Sequence, residues 1–106
     1  MLTREENELL TQVGPGTPAG ELLRRYWFPV GVASELTAEQ PTQLVRILGE
    51  TLVLFRDKSG QVGLLNDRCP HRGASLSYGR VEERGIACPY HGWLYDTKGN
   101  CLETPA

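Results

Sequence analysis

The sequence predicts an all-β fold, an antiparallel sandwich or small barrel. Short runs rich in β-branched and aromatic residues recur about every 8–12 residues, the spacing of such folds. Clusters of Gly, Pro, Asp and Asn stand between them as turns. The length of 106 residues, with 12 Gly and 7 Pro, suits one loop-rich domain with a modest core. A chain this size buries roughly 60–68% of the surface it exposes when unfolded, enough for one core and no second domain of ordinary size.

The first segment departs from the β pattern. Thr3-Arg4-Glu5-Glu6 matches a capping box, which predicts a short helix to about Gln12 with Glu5, Glu6 and Glu8 on a solvated face. Gly14-Pro15-Gly16 ends it. Thr17-Pro18 reads as an N-cap with Pro at the first helical position, opening one or two turns through Leu22, Leu23 and Arg24. Residues 26–32 are aromatic and β-branched, with Pro29 restricting them to an edge or irregular strand. Runs 43–48 and 51–56 flank Gly49-Glu50 as a tight hairpin. Asp57-Lys58-Ser59-Gly60 is turn chemistry before a further strand over 62–66. Trp93-Leu94-Tyr95 and Cys101-Leu102 flank the turn at 96–100, and Trp93 and Tyr95 at period two read as one core-packed face. Cys101 is expected to be a buried small hydrophobe.

Composition excludes several partners. A net charge of −2 without a Lys/Arg block disfavours nucleic acid, because phosphate neutralisation needs clustered cations. No stretch approaches the ~20 apolar residues that span a bilayer, and residues 1–10 lack the basic and apolar regions of a secretory signal. Three Cys make a disulfide framework a poor expectation and a reducing, cytoplasmic setting the better one.

Two motifs carry the chemistry. Cys69-Pro70-His71 and Cys88-Pro89-Tyr90-His91 are separated by 16 residues, each with Pro directly after Cys. Pro turns each loop sharply, and Gly73 and Gly92 beyond the respective His allow close backbone approach. Each loop thus offers one thiolate and one imidazole to a shared point. A single zinc held by all four is one solution, but zinc fingers pair Cys with Cys and His with His. A [2Fe–2S] centre explains the mixing better: with both Cys on one iron and both His on the other, each loop contributes to each metal.

This pattern, C-x-H-x16-C-x2-H, resembles the Rieske family. It is similar to ring-hydroxylating oxygenases of the phthalate-dioxygenase type rather than to respiratory complexes, which have a further Cys in each loop. Here Ser75 or its neighbours and Tyr90 stand at those positions. Residues 20–30, Leu64-Leu65-Asn66, Cys69-Pro70-His71-Arg72-Gly73-Ala74 and His91-Gly92-Trp93 resemble the N-terminal part of the oxygenase α subunits. The resemblance implies a helical arm over 1–25 and a Rieske domain over 26–106, with two cluster-binding loops. Its implied cluster ligands are Cys69, His71, Cys88 and His91. It further implies a reductase or ferredoxin as electron donor and a mononuclear-iron oxygenase domain as acceptor. In such subunits a carboxylate, often on a neighbouring chain, receives one of the two imidazoles, leaving room for a homo-oligomer.

The oxygenating iron needs two His and a carboxylate, yet the only His here are the two in the loops. This stretch is therefore expected to be the electron-transfer part of an oxidoreductase. A stand-alone Rieske ferredoxin and a structural Cys2His2 zinc module are the alternatives. Neutral imidazoles make the cluster less negative than an all-Cys one, which raises its potential to about −150 to +300 mV. Respiratory centres place a Ser hydroxyl where Trp93 stands, so the low end of that range is expected. Oxidised iron should acidify the outer imidazole N–H, which would link electron and proton uptake at alkaline pH. Tyr78, Tyr90, Trp93 and Tyr95 are candidates to shield the iron, Tyr90 foremost. Arg72 is expected to pair with Glu82 or Glu83.

Overall fold

The computed structural model describes residues 1–71 and 73–105. The pairing expected of Arg72 lies outside those residues. The chain forms two compact units, one of Met1–Val30 with Arg46–Glu50 and one of Gly31–Val45 with the chain from Thr51 onward.

In the first unit, α1 (Arg4–Thr11) opens on the expected capping box, and no residue of it is buried. The helix α2 (Pro18–Leu23) opens on Thr17, whose hydroxyl accepts the Gly20 N–H. Arg24 knits this unit together. Its guanidinium donates to the carbonyls of Val13 and Leu48 and pairs with Glu50 at 2.7 Å.

The rest is β structure in two antiparallel sheets. The first has the order β1 (Thr42–Ile47), β2 (Glu50–Arg56), β3 (Val62–Asn66). Central β2 buries Val53, Leu54 and Phe55 in succession, because a middle strand is covered on both faces. The second sheet has the order β4 (Arg80–Glu82), β5 (Gly85–Ala87), β6 (Leu94–Tyr95), β7 (Cys101–Glu103). Two 3-10 turns, Ala33–Glu35 and Leu76–Tyr78, complete the elements. The main core cluster joins Val53, Phe55, Leu76, Ile86 and Tyr95 to Cys69 and Cys88, so the two thiols of the motifs lie within the apolar interior.

Three expectations need correction. No strand forms over 26–32, where Pro29 removes a ladder donor and Trp27 stands fully in solvent. The β1–β2 turn is Leu48-Gly49, one residue earlier than expected. Both have positive φ, 51° and 75°, as a type I′ hairpin requires, and Glu50 already belongs to β2. The β4–β5 hairpin falls between the two motifs. Its three-residue strands are too short for a period to be read, and the Glu83-Arg84 turn lacks turn-forming residues. Cys101 is exposed, its thiol 3.7 Å from the Glu103 carbonyl, because β7 is an edge strand exposed at all three residues.

The turns at 57–61 and 96–100 are the same structure twice. In each, an Asp carboxylate accepts the N–H groups two and four residues on, and Gly supplies the positive φ, 94° at Gly60 and 88° at Gly99.

Candidate metal centre

The two Cys-Pro loops share one backbone. In the first, the Cys69 N–H donates to the Ala74 carbonyl at 2.8 Å and the Gly73 N–H to the Cys69 carbonyl at 2.7 Å. In the second, the Cys88 N–H donates to the Trp93 carbonyl at 2.8 Å and the Gly92 N–H to the Cys88 carbonyl at 3.0 Å. Gly73 and Gly92 take φ of 72° and 78°, which L side chains rarely adopt. An antiparallel pair closes each loop, Arg68 with Ser75 and Ala87 with Leu94. Within this common frame His71 is the second residue after its Cys and His91 the third.

The four side chains come as two like pairs. Cys69 and Cys88 are buried, at 2% and 4% exposure, and belong to the same core cluster. Burial pushes the Cys88 thiol above its ordinary pKa and the neighbouring Cys69 adds to the rise, while the N–H groups of Tyr90 and His91, aimed at the sulfur, pull the other way. The imidazoles of His71 and His91 have centroids 4.8 Å apart, and both residues are exposed. One end of the site is therefore buried sulfur and the other accessible nitrogen. His91 also borders an open cleft of about 490 Å³ lined by Arg80, Arg84, Glu82 and Glu103.

Three neighbours were not singled out by sequence reasoning for what they do. The Tyr95 hydroxyl is hydrogen-bonded to the Cys69 sulfur at 3.3 Å, where either group can donate, and burial pushes its phenol well above its ordinary pKa. Trp93 packs against the core cluster as expected, but its indole also lies parallel to the His71 imidazole at 4.1 Å and 3°. Buried Asp67 accepts the Ser75 hydroxyl at 2.7 Å and the Ser77 N–H at 3.0 Å, bracing the chain that leaves the first loop. An Asp two residues before a ligand-like Cys was the only available signal for the last. Tyr90 meets His91 edge-on at 4.0 Å, and Tyr78 is 83% exposed, away from the core cluster.

This donor set suits a mixed-ligand [2Fe–2S] centre, in which two thiolates hold one iron and two imidazoles the other. Among the described residues no three of His, Cys, Asp or Glu gather as a single metal ion would require. No helix is long and apolar enough to cross a membrane.

Comparison with known proteins agrees with this chemistry. The family model "Rieske [2Fe-2S] domain" matches residues 26–106. Phenoxybenzoate dioxygenase subunit alpha from Ectopseudomonas oleovorans is 60% identical over 91% of this chain and 23% of its own length. The phthalate 4,5-dioxygenase oxygenase subunit from Pseudomonas putida is 47% identical over 97% of this chain and 24% of its own. Among solved structures, NdmA of Pseudomonas putida CBB5 superposes with a TM-score of 0.71 at 39% identity, over 80% of this chain and 27% of that one. The chain thus spans about a quarter of the length of these relatives. With a matching family model over three quarters of its residues and relatives this similar, the chain belongs to the Rieske [2Fe–2S] domain family, whose cofactor is the Rieske-type cluster.

Proposed function

We propose that this chain carries single electrons as the Rieske part of a ring-hydroxylating oxygenase α subunit, with Cys69 and Cys88 as ligands of one iron and His71 and His91 of the other. The observation that carries this reading is the sorting of the four side chains from twin loops into a buried thiol pair and an accessible imidazole pair. The cluster supplies one-electron redox chemistry at a potential raised by its imidazole ligands. The chain's residues do the rest. The core cluster around Cys69 and Cys88 keeps water from the sulfur side. The Tyr95 hydroxyl beside Cys69 and the N–H groups of Tyr90 and His91 beside Cys88 favour added negative charge on the sulfurs. The exposed imidazole edges leave a short path to a protein partner.

In this reading the donor is a reductase or ferredoxin and the acceptor a mononuclear-iron oxygenase domain, in a cytoplasmic, homo-oligomeric assembly. Residues 1–25 serve as a helical arm to the domain over 26–106. The relatives are named for substrates as different as phenoxybenzoate, phthalate and a methylxanthine while sharing this stretch, which supports a role in electron supply rather than in substrate choice.

Metal and sulfide analysis with EPR of the dithionite-reduced protein tests the proposal. About two irons and two acid-labile sulfides per chain, with the spectrum of a mixed thiolate–imidazole centre, are expected. A colourless, zinc-loaded protein without sulfide would overturn it.

A further inference from the structure

We infer that Trp93 is a positioning residue for His71: its indole holds the imidazole in orientation and biases the centre toward its oxidised form. The inference rests on His71 being a ligand. The two imidazoles have unlike surroundings. His71 lies flat on an indole at 4.1 Å and 3°, and that indole is itself packed against the core cluster. His91 meets Tyr90 edge-on at 61°, and Tyr90 is 64% exposed. With the indole anchored on the core, the parallel contact fixes the plane in which the His71 imidazole lies.

Trp93 closes the second loop, where its carbonyl accepts the Cys88 N–H, yet its ring serves the histidine of the first. At the matching position of the first loop stands Ala74, which cannot return the contact. The indole is thus a crossbar that makes the orientation of His71 depend on the second loop.

Two effects follow, and both act in one direction. The negative face of an indole stabilises positive charge over it, and an imidazole carries more positive charge when its iron is oxidised. The ring also keeps water from one face of His71, and water would favour the more negative, reduced centre. Trp93 therefore lowers the midpoint potential.

Redox titration and EPR of the cluster-loaded chain with W93A, W93L and W93F test this. W93A and W93L should each raise the potential by about 59 mV, a tenfold shift in the ratio of reduced to oxidised protein at fixed potential. Both should also broaden the EPR signal as the orientation of His71 spreads. W93F, which keeps a flat ring with a weaker π face, should shift the potential less and retain the wild-type line shape. If W93A does not load a cluster, W93L and W93F decide the matter. A wild-type potential and spectrum in W93L, or a shift in W93F as large as in W93L, would overturn the inference. A wild-type chain without an imidazole-ligated spectrum would instead overturn the ligand assignment on which it rests.

Discussion

The two Cys-Pro loops reach the same backbone by different means. The second is the end of a hairpin between β5 and β6 in a four-stranded sheet, so strand pairing on both sides holds it. The first is closed by an isolated bridge, with the buried carboxylate of Asp67 bracing the chain beyond it. Matching geometry does not require matching support. A polar brace can replace a ladder where its bonds are fully made and shielded from water.

The largest test of this equivalence is ligand removal. Cys69→Ser and Cys88→Ser should each abolish the visible colour and labile sulfide, because either loop alone supplies only half the ligands. A variant retaining more than about half the wild-type iron would break the symmetry between the loops. Next is the brace itself. Asp67→Ala should cost about 2 kcal/mol in urea unfolding, since it leaves the Ser77 N–H without its acceptor and the Ser75 hydroxyl with only the Ser77 hydroxyl. Hydrogen exchange should quicken in the first loop and not in the second.

A smaller and equal effect is expected from the glycines. Gly73→Ala and Gly92→Ala meet no close neighbour, the nearest atom to an added methyl being Pro105 Cγ at 3.8 Å from Gly92. Each should therefore lose only about 1–2 kcal/mol of stability, through the backbone strain it introduces. Unequal losses would show that the loops share a path but not a strain. Tyr95→Phe should act on the first loop's sulfur alone, lowering the midpoint potential by about 50 mV as one hydrogen bond to charged sulfur is lost.

The smallest effect belongs to the turn after the second loop. The Asn100 side chain and N–H hold the Asp96 carboxyl below its ordinary value of 3.8. Its contribution is thus complete above the ordinary value and lost as pH falls through the lowered one. Asp96→Asn should lower the urea midpoint slightly at pH 7 and flatten its fall below about pH 4.

Much of this was readable in the sequence where the signal is local. The Thr3 capping box, the Asp-to-Gly turns and the Cys-Pro-His spacing each depend on residues a few positions apart. What escaped was set by tertiary contacts. Whether residues 26–32 pair depends on a partner strand elsewhere, and Cys101 is exposed because β7 lies at the sheet edge. Trp93 and Asp67 look like ordinary core and loop residues until the fold brings His71 and Ser77 to them. The position of each candidate ligand along the chain was readable, but the residues that hold and tune it were not.

The place of the two thiols inside the apolar cluster has a consequence for how the protein is made. With Cys69 and Cys88 as iron ligands, as proposed, its interior would be closed partly by groups that become thiolates on taking iron, and maturation of the chain would be coupled to delivery of inorganic sulfur and iron. In cells starved of iron, the yield of folded molecules should therefore fall along with their redox capacity, and chelation should consign the chain to proteolysis rather than leave an intact empty shell.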